Sequence, residues 1–163
     1  LIIRRAKIND VPAMLDIYNE AILNLTATFD LEEQTLEQRE QWFYKYNEQY
    51  PLMVAVINGE ITGYCGISPY NAKEAYATTV EISIYLSDKY RGQGIGQALM
   101  KDMITRAKEL EYHTIIAGIT EGNDGSVHLH EKFGFEFAGK LKEVGFKFGK
   151  WQNVLYLQLL LNN

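Results

Sequence analysis

The chain has 163 residues, 47% of them hydrophobic, with a formal net charge of -5. That length and composition suit one domain, 1-163, with a real core, and exclude a disordered chain. An acidic balance argues against a general nucleic-acid binder and makes an amine-bearing substrate easier to accommodate. No apolar run approaches the roughly 18 residues of a membrane-spanning helix, and the first residues lack the layout of a secretory leader. A cytoplasmic protein with no membrane contact is expected. Cys65 is the only cysteine, so no internal disulfide can form. With no paired metal-ligand spacing either, no metal is expected.

Leu1 to Ala6 reads as a first strand. Asn9 or Asp10 can cap a helix with Pro12 in its first turn, and Met14, Leu15, Tyr18, Ala21 and Ile22 recur at helical spacing. Thr26 to Phe29 is extended or a loop. Thr35-Leu36-Glu37-Gln38 has the form of a capping box opening a second helix. Leu52 to Ile57 and Ile61 to Ile67 read as strands joined by Asn58-Gly59, the strongest hairpin signal in the chain. Thr78 to Leu86 alternates, with Val80, Ile82, Ile84 and Leu86 on one face and Glu81, Ser83 and Tyr85 on the other.

A helix from Gly96 to about Leu110 follows, then a strand from Ile115 to Ile119. Asp124 or Ser126 caps a short helix that ends at Gly134. Phe135 to Gly139, Val144 to Phe148 and Leu155 to Leu161 close the chain as strands. The order predicts an α/β domain with a mixed central sheet, about four helices, and one βαβ unit around the glycine-rich turn.

That turn, Arg91-Gly92-Gln93-Gly94-Ile95-Gly96, lies between a strand and a helix. Glycines let backbone N–H groups approach a ligand, and the helix adds its unpaired N–H groups and positive dipole end. The combination suits a phosphate. Neither glycine register gives the Gly-x-Gly-x-x-Gly of a dinucleotide fold, and the Gly-Lys-Ser/Thr of a P-loop is absent.

The turn matches the Arg/Gln-x-x-Gly-x-Gly/Ala signature of the GNAT superfamily of N-acetyltransferases, and Glu131-Lys132-Phe133-Gly134-Phe135 matches a second family segment. The chain most resembles the phosphinothricin and methionine sulfoximine acetyltransferase subfamily. The segments that carry this likeness include Ile17 to Ala21, Thr26 to Phe29, Thr79 to Glu81, Leu129 to Lys132 and Val144 to Trp151. The resemblance implies acetyl-CoA as co-substrate. Ile84, Tyr85 and Leu86 would pair with its pantetheine arm. Arg91, Gly92, Gln93, Gly94, Ile95, Gly96 and Gln97 would grip its pyrophosphate, with Asn123, Ser126 and Lys132 contributing from the later helix. The implied acceptor is the amine of a small amino acid, and the closing strands imply a homodimer.

Glu81 is the expected base, since an ammonium must lose a proton before it attacks a thioester; the plainer reading is a solvent-side carboxylate. His130 stands where many family members carry Tyr, and serves as acid, base or packing residue. Phe29, Lys73 and Tyr76 are the candidate acceptor contacts. Relatives often carry Arg between Ser68 and Tyr76, where this chain offers only Lys73. Cys65 and His113 read as structural. Two alternatives stay open: an acetyltransferase for a polyamine, aminoglycoside or protein N-terminus, and a non-catalytic acetyl-CoA sensor.

Overall fold

Asn58 and Gly59 do close a hairpin, both at positive φ (50° and 78°), as a two-residue turn between twisted strands requires. They join β2 (Leu52–Ile57) to β3 (Glu60–Pro69). The computed structural model describes residues 1–162. Its single seven-stranded sheet runs β1-β2-β3-β4-β5-β7-β6. The remaining strands are β1 (Ile2–Arg5), β4 (Thr79–Leu86), β5 (Thr114–Thr120), β6 (Glu136–Lys147) and β7 (Lys150–Leu160).

Helices pack on both faces. Helix α3 (Ile95–Glu109) covers one of them. Its buried stripe of Ile95, Leu99, Met100, Met103 and Ala107 packs on Val80, Ile82, Ile115 and Ala117. Helices α1 (Val11–Asn24) and α2 (Leu36–Phe43) cover the other, where Val11, Met14 and Ile17 meet Leu52, Val54 and Tyr64. The alternation read in the β4 sequence therefore splits its side chains between two cores. Helix α4 (Asp124–Lys132) completes the four expected.

Thr35 caps α2 as expected: its side chain accepts from the Gln38 N–H, and the Gln38 side chain accepts from the Thr35 N–H. Two caps differ from expectation. Asp10 precedes α1 but makes no side-chain cap. Its carboxylate turns back to Arg4 (2.7 Å) and to the Lys7 N–H (2.8 Å), which closes a 3-10 turn at Ile8–Asp10. The cap position of α4 is Asn123, not Asp124 or Ser126, and no side chain fills it. The two strands expected between Phe135 and Phe148 are one long β6, whose pairing with β7 shifts between Phe137/Gly139 and Leu141/Gly145. Those irregularities break the period-2 pattern that would have revealed a continuous strand.

The feature that makes room for a site is a split in the sheet. β4 and β5 are parallel, but pair only over Thr79–Glu81 and Thr114–Ile116. Beyond Glu81, β4 stays paired with β3 as far as Leu86, and β5 stays paired with β7 as far as Thr120. The strands diverge, leaving backbone groups along the inner edge of β4 without a ladder partner.

Candidate active site

Two connected cavities occupy this split. The larger is a groove of about 740 Å³, running from the inner edge of β4 past the glycine turn to α4. The smaller is a chamber of about 190 Å³ held between Ile82 to Tyr85 and Ala117 to Thr120. They share Ala27, Ile84, Tyr85, Asn123 and Ser126 as walls.

The groove is built for an anion. Gly92 and Gly94 take φ of 76° and 79°, in the left-handed region where only glycine sits without strain. A Cβ at either would meet nothing within 4 Å, so their outer sides are open to a ligand. Gly94 is the N-cap of α3 and supplies no side-chain acceptor, which leaves the first helical N–H groups unpaired at the positive end of the dipole. Arg91, Lys132 and His128 line the groove, and no carboxylate does among the described residues. Arg91 is held 3.0 Å from Asp88, and Lys132 donates to the Gln97 side chain at 3.0 Å.

The chamber has the opposite character. Its one carboxylate, Glu81, is half-buried, and that burial pushes its pKa up. His130 also lines it and is 2% exposed. Its Nδ1 lies 2.6 Å from the Ser126 carbonyl. A carbonyl only accepts, so Nδ1 carries the hydrogen and Nε2 is left as the acceptor of the neutral ring. Burial lowers the pKa of this imidazole, and Phe135 packs edge-on at 5.0 Å. Glu81 and His130, 49 positions apart in the chain, thus reach one cavity from β4 and α4.

Most of the sequence candidates converge here. Ile84, Tyr85, Leu86, Arg91, Gly92, Gly94, Gly96, Gln97, Asn123, Ser126 and Lys132 all border the groove. Ile95 does not, because its side chain is 1% exposed and belongs to the core, so only its backbone can serve the turn. Gln93 is exposed and lies outside the groove wall. The three acceptor candidates are not brought into either cavity. Lys73 precedes an exposed 3-10 turn (Glu74–Tyr76), and Tyr76 packs on Tyr70, ring centres 5.5 Å apart. Phe29 lies over Gly145, where a Cβ would stand 2.6 Å from its ring. Cys65 is fully buried, and burial pushes its thiol up, which suits an inert packing residue.

Several wall residues were not among the site candidates, although Thr26, Ala27 and Phe148 lie in segments that carry the family resemblance. Leu25, Thr26 and Ala27, just after α1, line the groove, and Ala27 reaches the chamber. His128 faces the groove while His130 faces the chamber, as a two-residue offset on a helix requires. Phe148 also borders the groove. It sits with Gly149 in the β6–β7 turn at φ 56°, a conformation that favours Asn or Gly and strains a Phe.

Comparison with known proteins gives the family. The sequence model of the Acetyltransferase (GNAT) family matches residues 14–135. An L-methionine sulfoximine/L-methionine sulfone acetyltransferase of Pseudomonas paraeruginosa is 38% identical over 162 residues, covering 98% of this chain and 94% of that protein. Among solved structures, a ribosomal-protein-alanine N-acetyltransferase from Brucella melitensis has a TM-score of 0.95 and 40% identity, covering 98% of this chain and 99% of that one. A phosphinothricin acetyltransferase from Sinorhizobium meliloti, in complex with acetyl-CoA, has a TM-score of 0.94 and 34% identity, with 98% and 87% coverage. With its split sheet, uncapped helix and glycine turn, the chain belongs to the GNAT acetyltransferase family.

Proposed function

We propose that this protein transfers the acetyl group of acetyl-CoA to the primary amine of a small amino acid of the methionine sulfoximine or phosphinothricin type. One observation carries the reading: among the described residues, the only carboxylate bordering either cavity is Glu81, and it lies in a chamber that opens into a groove lined by none. An anion fits the groove and an ammonium fits the chamber. The named activities of the relatives point to the same pair of substrates.

The thioester supplies an activated acetyl group, and the chain does the rest. The unpaired edge of β4 at Ile84 to Leu86 meets the amide-bearing arm, while the N–H groups and cations around Arg91 to Gln97 and Lys132 take the phosphates. Glu81 removes the proton of the bound ammonium, directly or through a water. Burial raises its proton affinity toward that task. Nε2 of His130 is a second acceptor on the chamber wall, and a proton held there can pass to the leaving thiolate. A backbone N–H on the unpaired edge of β4 suits the oxygen on which charge develops.

The test is release of free CoA thiol over a panel of amines. Methionine sulfoximine, phosphinothricin, methionine sulfone, common amino acids, polyamines and an alanine-ended peptide would each be offered. Turnover with the sulfoximine or phosphinothricin well above the peptide is the expected result. Turnover with the peptide alone would place this chain with its Brucella neighbour instead, and acetyl-CoA binding without turnover on any amine would mark a sensor.

We also propose a homodimer. β6 is a sheet edge, and Phe137, Leu141, Val144 and Phe146 on it, with Trp151 on β7, are exposed. That is more apolar surface than a lone edge strand usually shows to water. Light scattering should give twice the 18.7 kDa chain mass, and a monomer at working concentration would refute it. Reliance on acetyl-CoA from the cell interior supports a cytoplasmic site, which cell fractionation checks.

A further inference from the structure

The segment from Leu25 to Thr28 belongs to no helix or strand, yet its first three residues form a wall of the groove and Ala27 also one of the chamber. Its four carbonyls are all accounted for by side chains from distant strands. Lys147 Nζ on β6 donates to the Leu25 carbonyl at 2.6 Å and to the Thr28 carbonyl at 2.8 Å. Thr120 Oγ1 on β5 donates to the Thr26 carbonyl at 2.8 Å, and the Tyr85 hydroxyl on β4 to the Ala27 carbonyl at 3.1 Å. Three strands, two of which wall the site, thus hold one loop by its backbone.

Lys147 is the unusual member of this set. It is 4% exposed, and no carboxylate among the described residues lies within ion-pair distance of it. Its direct hydrogen bonds go to carbonyls, with the Asp30 carboxylate acting from farther off and the Phe148 ring 5.0 Å from Nζ, an expensive way to fill space that a Met would fill without a desolvation penalty. What the ammonium does that Met cannot is bond two carbonyls at once. In an extended segment, carbonyls three residues apart stand roughly 10 Å from each other. One Nζ bonded to both forces the segment to curl around it. The curl carries Ala27 to the shared wall and fixes where Phe29 leaves the segment, to lie over Gly145 on the same β6 strand.

We propose that Lys147 is the positioning residue of the acceptor chamber: its ammonium curls residues 25–28 into the wall that sets the chamber's shape. This rests on reading the chamber as the acceptor site. Leu25, Thr26 and Ala27 also wall the groove, but its phosphate end is made by the glycine turn and Lys132, which make no contact with the clamp among the hydrogen bonds named above, so acceptor use should move more than acetyl-CoA affinity.

The experiment compares Lys147→Met and Lys147→Gln with the unaltered full chain. Lys147→Met should raise the KM for methionine sulfoximine about tenfold, with kcat much less changed and the Kd for acetyl-CoA within about threefold. Amide exchange at residues 25–29 should quicken about tenfold while α3 stays protected. Lys147→Gln keeps two donors on a shorter neutral head and should fall between the two; it also carries the test if the Met variant does not fold. An unchanged acceptor KM overturns the proposal. So does a loss shared equally by acceptor and acetyl-CoA along with thermal stability, because that is the mark of a merely structural lysine. If the unaltered protein acetylates no amine, the functional reading has failed on its own. The clamp is then judged by exchange at 25–29, and unaltered protection in both variants overturns it.

Discussion

The groove and the chamber share five wall residues but are made in different ways. The anion-binding part of the groove comes from one stretch, Arg91 to Gln97, plus the facing side of α4. Its chemistry is mostly backbone: positive φ at two glycines and unpaired N–H groups at a helix start. The chamber is assembled from side chains of β4, β5, α4 and the segment after α1. A site of the first kind depends on local conformation and resists changes elsewhere. A site of the second kind depends on packing across the whole sheet, and can change its acceptor without touching the groove.

The sharpest way to break this division is at Glu81. Glu81→Gln keeps shape and removes the base, so kcat should fall about 10²- to 10³-fold while the Kd for acetyl-CoA by calorimetry stays unchanged. The pH profile gives a second handle. Burial raises the Glu81 pKa, so the acid limb of kcat/KM for the acceptor should lie above the ordinary carboxylate value of about 4.3. The rate rises with pH across it as the base loses its proton. The Gln variant should lose that limb. A limb that persists unchanged assigns the proton to another acceptor, with His130 first in line.

The same division explains what could be read from sequence. The groove was legible because Arg91 to Gly96 is contiguous and each glycine has a local reason to be there. So were the Asn58-Gly59 turn and the Thr35–Gln38 capping box, whose partners lie within three residues. The chamber was legible at Glu81 and His130, and at the walls it shares with the groove (Ile84, Tyr85, Asn123 and Ser126), mainly through resemblance. Leu25 to Thr28 has no periodicity, and its partners Tyr85, Thr120 and Lys147 lie 58 to 122 positions away. The β6–β7 turn was hidden for a related reason. Phe148 occupies a left-handed position where the usual signal is Asn or Gly. Lys73 and Tyr76, expected as acceptor contacts, lie in an exposed loop where Tyr76 packs on Tyr70, outside both cavities.

A second test perturbs the groove and spares the chamber. Gly94 has a φ of 79° and open space where a Cβ would go. Gly94→Ala therefore meets no clash in the protein, only backbone strain of about 1–2 kcal/mol and a methyl group on the ligand side. The Kd for acetyl-CoA should rise about tenfold or more, while the KM for the acceptor at saturating acetyl-CoA stays close to that of the unaltered protein. An acceptor KM that rises in step would show the two cavities to be one mechanical unit and remove the contrast.

The smallest effect sharpens the contrast through stability. His130 is buried in the chamber wall, and burial lowers its pKa below the ordinary value of about 6.5. In the unfolded chain the imidazole takes a proton as the pH falls past that ordinary value. In the folded chain it does so only at lower pH. Between the two, the unfolded state binds the extra proton, so stability is complete above the ordinary value and is lost as pH falls toward the folded one. Melting temperature measured from pH 8 to pH 5 should therefore decline more than in His130→Gln, which has no such proton to bind. Were the His130 variant to follow the unaltered curve, the imidazole would take its proton as readily folded as unfolded, and the buried chamber wall that separates the two cavities in kind would be lost from the contrast.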